Sequence, residues 1–419
     1  MPSLLSLGVI RETFSSRNVM VLTITQTLFM FTAFLWWPYW SLFILELGAT
    51  KELLGILQMI ETITQLICQL PGGILADRFG RRRLIVYSSI FRVASPIIYI
   101  SSTSWIHIAP GLFIGSFAML GLPAMNALIA ESLPMISRGA GLSAYRAVTW
   151  MPMIITGLLG GVIMDTYGVV QGVKLCVSAT LIVSIFSFIL RWRFVTETLD
   201  MTRNKEEEML REASQKEGVL QQLRTLPREI WILTVVAALS SFAIRLVMSF
   251  MVVYAVEVVG LTNTQWGLIG TAVSLISTII TIPGGILADR IGRKPCITVS
   301  RILSPISTLG FTFSMNFWHM LSVRAINGVA QGFGGTVWGL MGGPVWQALV
   351  ADVTPPDRRG KMIGVIGTIS GIVSTPASWV GGYMYDNISP ALPFQTSFVI
   401  NVVGTVIFVA LLKEPKKSE

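Results

Sequence analysis

The chain has 419 residues, 53% of them hydrophobic and only 13% charged. Soluble chains carry about 25% charged residues, so the composition excludes a water-exposed globule, a disordered segment or a collagen-like fibre and reads as an integral membrane protein. The three cysteines, Cys68, Cys176 and Cys296, sit in or at the end of apolar stretches without metal-ligand spacing, which excludes a disulfide scaffold and leaves them as packing residues.

A helical crossing takes about 20 apolar residues. Apolar runs and their polar breaks predict spans near 19–45, 52–75, 84–103, 105–129, 142–163 and 172–191, then near 230–256, 265–287, 296–315, 318–348, 362–384 and 393–412. The expected fold is therefore all-α and integral to the membrane, with twelve transmembrane helices. The division is 1–192 for an N-terminal six-helix bundle, 193–229 for a cytoplasmic linker and 230–419 for a C-terminal six-helix bundle.

Ahead of the first span, Leu4, Leu5, Leu7, Val9 and Ile10 precede Arg11, which suits an interfacial helix better than a cleaved signal peptide. The first span carries Trp36-Trp37-Pro38-Tyr39-Trp40. Three readings of Trp37 and Trp40 stay open: an interfacial aromatic belt, a stacking wall for a flat or cationic substrate, or a packed gate.

In the second span Gln58, Glu61, Thr62, Gln65 and Gln69 recur at three- and four-residue intervals, so they form one polar stripe on an otherwise apolar helix. Glu61 lies near mid-depth, where a carboxylate is costly and is a candidate to load and release a proton. In the seventh span Arg245 falls near the midpoint and needs a partner, either Glu61 or an anionic substrate. On the tenth, Arg324, Asn327 and Gln331 share a face, making Asn327 and Gln331 candidate cavity donors. Arg92 and Arg301 share an Arg-x-x-Ser-Pro setting and are read as structural. The hydrophilic stretch between the halves contains an Arg203-Asn-Lys-Glu-Glu-Glu run that suits a surface helix.

Cations assign the sides. Of 31 Lys and Arg only Lys51 and Lys174 fall on the outer side when the first span leaves the cytoplasm. The net charge of +9 is thus explained by topology, with both termini cytoplasmic, and not by nucleic acid.

The halves repeat. Pro71-Gly-Gly-Ile-Leu-Ala-Asp-Arg-Phe-Gly-Arg returns 212 positions later as Pro283-Gly-Gly-Ile-Leu-Ala-Asp-Arg-Ile-Gly-Arg, with one mismatch in eleven. At a shift of 221, Glu131 and Arg138 match Asp352 and Arg359, and Gly160-Gly161 with Asp165 match Gly381-Gly382 with Asp386. Two parallel six-helix repeats around a central cavity are expected, with a substrate site near the midplane.

On these residues the chain resembles the major facilitator superfamily of secondary transporters. The resemblance implies a conformational latch made by Gly73, Asp77, Arg78, Gly80 and Arg81, and again by Gly285, Asp289, Arg290, Gly292 and Arg293, together with Glu131, Arg138, Asp352 and Arg359. It implies that Asp77 meets the start of the eleventh helix near Lys361 and Asp289 the start of the fifth near Gly141. The fourth-helix signature is recognisable only as Arg324, Gly328 and Gly332, and the antiporter pattern of the fifth helix is replaced by Thr156-Gly157 before Gly160-Gly161.

His107 and His319 have no carboxylate or cysteine at ligand spacing and no Gly-x-x-x-x-Gly-Lys run occurs, so neither an enzyme, a metal site, a cofactor nor an ATP-driven pump is expected. The expected function is alternating-access secondary transport in the cell membrane, by a monomer in the lipid bilayer. A proton-coupled exporter of amphipathic compounds is the first reading. An organic-anion or metabolite transporter centred on Arg245 is its rival, and a non-transporting receptor on the same fold is a third.

Overall fold

The computed structural model of the chain describes residues 13–134, 138–198, 227–334, 342–354 and 359–412. The interfacial helix expected before Arg11, the linker helix around Arg203 and the basic tail lie outside the described residues. The described residues contain helices and no strand.

Among the described residues, eleven helices are long and apolar enough to cross a bilayer: α1 Arg17–Glu46, α2 Lys51–Phe79, α3 Arg81–Ser101, α4 Trp105–Glu131, α5 Arg138–Tyr167, α6 Val169–Phe194, α7 Arg228–Val258, α8 Asn263–Ile291, α9 Arg293–Phe313, α11 Met362–Asn387 and α12 Leu392–Leu411. Between α9 and α11 stands α10, Phe317–Gly334, with the short helix Pro344–Asp352 after it. Arg324, Asn327 and Gln331 make α10 more polar than the others. Eleven of the helices fall where the hydropathy pattern predicts them, because a bilayer-length apolar run satisfies its own backbone without water by forming a helix. The tenth span, expected over 318–348, is described as Phe317–Gly334 and Pro344–Asp352, and 335–341 lie outside the described residues.

Local chemistry sets the breaks. Pro38 forces a 3-10 turn at Trp37–Tyr39 inside α1. Pro152 and Pro376 interrupt α5 and α11, each standing at the head of the segment that follows. The reversals after α2 and α8 need a left-handed residue, and Gly80 (φ 93°) and Gly292 (φ 104°) supply it at matching places in the duplicated loop. α8 starts on a capping box in which Thr262 and Gln265 satisfy each other's backbone N–H.

The described residues form two compact units. Thr64 and the following residues up to the linker join α1 in the first, and Ser41–Ile63 packs with the residues after the linker in the second. In the first unit α1 packs on α5 and α6, and α3 on α4 and α6. In the second, α7 packs on α11 and α12, and α9 on α10 and α12, the same pairing six helices later.

Small residues bring these pairs together. A side chain on Gly72 would stand 2.7 Å from the Leu120 carbonyl oxygen, and one on Gly284 2.6 Å from that of Gly332. Both pairs are related by 212 (284 − 72 and 332 − 120), so the sequence repeat is also a repeat of helix contacts. Gly160 and Gly381 likewise face the Leu35 and Leu246 carbonyls of α1 and α7. Each unit has an apolar core, around Leu22, Ile85 and Leu128 in the first and Leu233, Ile297 and Trp346 in the second.

Candidate functional site

The polar stripe of α2 begins in the second unit with Gln58, Glu61 and Thr62. Thr62 is buried. Its hydroxyl donates to the Gln58 carbonyl at 2.8 Å, which fixes its rotamer, and accepts from Arg245 Nη1 at 2.7 Å. Arg245 reaches it from α7, half-buried. Its carbonyl in turn accepts from Ser378 Oγ of α11 at 3.5 Å. Glu61, the preceding residue on α2, is half-buried and within coulombic range of the Arg245 guanidinium. The hydrogen bond of Arg245 goes to a hydroxyl, and no carboxylate among the described residues forms an ion pair with it. A cation from α7 thus meets an oriented hydroxyl beside a carboxylate on α2, between apolar helices where charge changes are strongly felt.

The Lys51 end of α2 is fastened to α11. Glu52 N–H donates to Asp386 Oδ2 at 2.7 Å, satisfying an open donor at the helix start. Trp379 Nε1 and Asn387 Nδ2 donate to the two Glu52 carboxylate oxygens at 3.2 and 3.4 Å. Lys51 pairs with Glu257 of α7 at 3.1 Å. Close approach is possible because Gly55 and Gly382 stand where side chains would strike the Ser378 and Lys51 carbonyls. Of this clasp the repeat arithmetic marked only Asp386 and Gly382. Glu52, Trp379 and Glu257 lie near helix ends, where their polarity reads as ordinary solvation.

Further along the stripe, Gln65 and Gln69 are half-buried and belong to the first unit. Asn327 and Gln331 pair with each other on α10 at 2.6 Å, and Asn327, 8% exposed, donates to Ser304 of α9 at 3.5 Å. The structure does not join them to Arg245. In α1, Trp37 is 45% exposed and Trp40 only 5%. Trp40 packs against Tyr99 and Trp36 at 4.8 and 5.0 Å, Trp36 donates to Thr180 at 3.0 Å, and Tyr39 donates to the Gly157 carbonyl at 2.6 Å. These contacts bind the aromatic run to α3, α5 and α6.

The duplicated loop makes the same ion pair twice. Arg81 pairs with Glu131 at the end of α4, and Arg293 with Asp352 at the end of the helix after α10. Arg82 donates to the Trp192 carbonyl at 2.8 Å and Lys294 to the Val409 carbonyl at 2.9 Å, tying each loop to the last helix of its unit. Asp77 lies 3.9 Å from Arg81, and Arg78 stands over the Phe79 ring. Gly73 and Gly285 have open faces. Arg290 follows Asp289 in the last turn of α8, and Arg138 opens α5. The side chains of Arg359 and Lys361 lie outside the described residues.

Glu197, just after α6, is an addition that spacing alone did not mark. Its carboxylate accepts the backbone N–H groups of Arg81 and Arg82 at 3.2 and 3.0 Å, capping α3 where Gly80 has no side chain to do so. Thr198 then donates to Glu131 at 2.8 Å.

Comparison with known proteins adds the following. The model of the Major Facilitator Superfamily matches residues 22–262 and 233–419. Quinolone resistance protein NorA of Staphylococcus aureus (strain MRSA252) is 31% identical over 193 residues, and that match spans 46% of this chain and 47% of NorA, about half the length of each. The uncharacterized MFS-type transporter MJ1317 of Methanocaldococcus jannaschii is 23% identical over 424 aligned residues, covering 94% of both chains. Among solved structures, a D-xylose-proton symporter is similar in fold, with a TM-score of 0.73 at 17% identity over 97% of this chain and 99% of its own.

Proposed function

The chain belongs to the Major Facilitator Superfamily, and from that membership we propose that it is a proton-coupled exporter of amphipathic, drug-like compounds in the cell membrane. Membership makes it a multi-pass membrane transporter of small molecules and not an enzyme. The observation that carries the finer reading is Glu61 beside the Thr62–Arg245 hydrogen bond. An ionised Glu61 balances Arg245; a protonated Glu61 leaves the guanidinium with the Thr62 hydrogen bond and an unbalanced charge. Loading a proton therefore changes the net charge of the site by one unit, which is the element an exchanger of protons for cationic solutes requires. Similarity to part of NorA, whose name records quinolone resistance, supports an amphipathic substrate.

The duplicated loop with its ion pairs is proposed as the latch that biases the two halves between states, and both termini are proposed to be cytoplasmic. Cysteines at Lys174 and Glu208 should then label from opposite sides of the membrane.

A second reading, transport of an organic anion or metabolite, is favoured by Arg245, whose hydrogen bond goes to a neutral group. Purified protein in liposomes separates the two. Under an imposed pH gradient the proposed exporter accumulates ethidium against its gradient. Gradient-independent uptake of small carboxylates, lost in Arg245→Lys, with no ethidium movement, would replace the first reading by the second.

A further inference from the structure

A second group of charges lies in the first unit, away from Glu61 and Arg245, with Arg191 buried and Arg92 half-buried. Arg191, in the last turn of α6, is 3% exposed. It spreads its guanidinium over three neutral acceptors: Nε donates to Thr25 Oγ1 at 3.0 Å, Nη1 to Ser89 Oγ at 3.2 Å and Nη2 to Gln26 Oε1 at 3.3 Å. Arg92 of α3 donates from Nη1 to the same Gln26 Oε1 at 3.0 Å, with its Cζ 4.7 Å from the Phe29 ring centroid. Two guanidinium groups therefore converge on one amide oxygen, and Gln26 itself is 4% exposed. Tyr145 of α5, 7% exposed, is within coulombic range of both, and of Arg146 beside it.

Neither arginine is ion-paired to a carboxylate among the described residues. A guanidinium keeps its proton at every accessible pH, so it cannot escape the apolar surroundings by neutralising itself. Like charges at this range repel, and in a membrane-spanning bundle that repulsion is poorly screened.

The second unit supplies the contrast. Its matching seam of α7, α9 and α12 carries one arginine among the described residues, Arg301, whose Nε and Nη2 are buried without a hydrogen-bond partner there. Arg301 donates to Ser240 Oγ at 3.0 Å, lies 5.6 Å from the Phe408 ring centroid, and has Gly404 beside its Nη2. One cation with neutral partners pins such a seam. The first unit carries two, and Arg92, like Arg301, engages described hydrogen-bond acceptors through Nη1 alone, so the difference between the seams is the doubled charge.

We propose that Arg92, Arg191 and Gln26, with Tyr145, form a site for a small inorganic anion of chloride size between α1, α3, α5 and α6. The two guanidinium forks supply the charge, and Tyr145, whose hydroxyl is hydrogen-bonded with Thr149, borders them. The flanking Phe29 ring and close helix packing favour a compact ion over a carboxylate-bearing solute. The anion balances the doubled charge and stabilises the folded bundle by mass action.

Purified full-length protein is melted in sodium chloride and in sodium gluconate at equal ionic strength. Wild type should melt a few degrees higher in chloride, with a saturable dependence on its concentration. Gln26→Glu places a carboxylate between the two guanidinium groups. That variant should be insensitive to chloride and at least as stable as wild type saturated with it. Arg92→Gln, which removes one charge, should reduce the chloride shift. Should it fail to fold, the comparison of wild type with Gln26→Glu decides alone. Equal melting of wild type in the two salts, or a chloride shift of the same size in Gln26→Glu, overturns the site.

Discussion

Thr62 accepts a 2.7 Å hydrogen bond from Arg245 although the two residues are 183 positions apart, and the same hydroxyl is held by the Gln58 carbonyl one turn earlier. The threonine is thus an oriented acceptor for a cation inside the membrane, with Glu61 next to it on the helix.

Thr62→Val keeps the shape but removes that acceptor. Hydrogen bonds to charged groups contribute about 1.5–3 kcal/mol, and a buried donor left unsatisfied costs about as much. The valine variant should therefore melt below wild type, whereas Thr62→Ser should stay close to it. Equal melting of all three proteins would mean that water or Glu61 replaces the hydroxyl at no cost.

Glu61 and Arg245 separate proton carriage from charge balance. If Glu61 carries the proton, Glu61→Gln should abolish transport driven by a pH gradient while leaving substrate exchange measurable, since glutamine keeps the size and cannot ionise. If Glu61 serves instead to neutralise Arg245, each single change should lower folded yield, and Glu61→Gln combined with Arg245→Gln should be milder than the sum. Full gradient-driven transport by Glu61→Gln in liposomes would remove the carboxylate from the mechanism.

The clasp between α2 and α11 should part during each transport cycle. Cysteines replacing Glu52 and Asn387, joined through two disulfides by a short bis-methanethiosulfonate, should stop transport, and reduction of those disulfides should restore it. Removing the helix cap alone, by Asp386→Ala, should cost about 1 kcal/mol of stability. Undiminished transport by the cross-linked protein would make the clasp a permanent joint.

The paired loops allow a test by charge exchange. Arg81→Glu should loosen the contact between the α2–α3 turn and α4, and Glu131→Arg added to it should recover most of the melting temperature, because the pair is re-formed with reversed polarity. The same exchange at Arg293 and Asp352 should behave alike. Failure to recover in the first unit alone would point to Glu197, whose carboxylate caps α3 beside the pair and would then face a new negative charge.

The sequence by itself determined the membrane class, eleven of the spans and the internal repeat. These depend on local quantities: the length of an apolar run, a glycine at a reversal, the recurrence of a motif. It also marked Glu61 and Arg245, because charge inside an apolar run is visible without knowing its neighbours. Only the tertiary structure decided what those charges touch. Arg245 is bonded to Thr62 and, among the described residues, to no carboxylate, Trp40 is packed among aromatic rings, and Ser41–Ile63 joins the second unit. Periodicity gives the face of a helix but not the helix it meets. Partners such as Glu197 for the start of α3, or Asp386 for the start of α2, lie more than a hundred residues away and are brought near only when glycine-lined helices pack. The shared use of Gln26 by two arginines from different helices is a product of the same packing, and no spacing along the chain announces it.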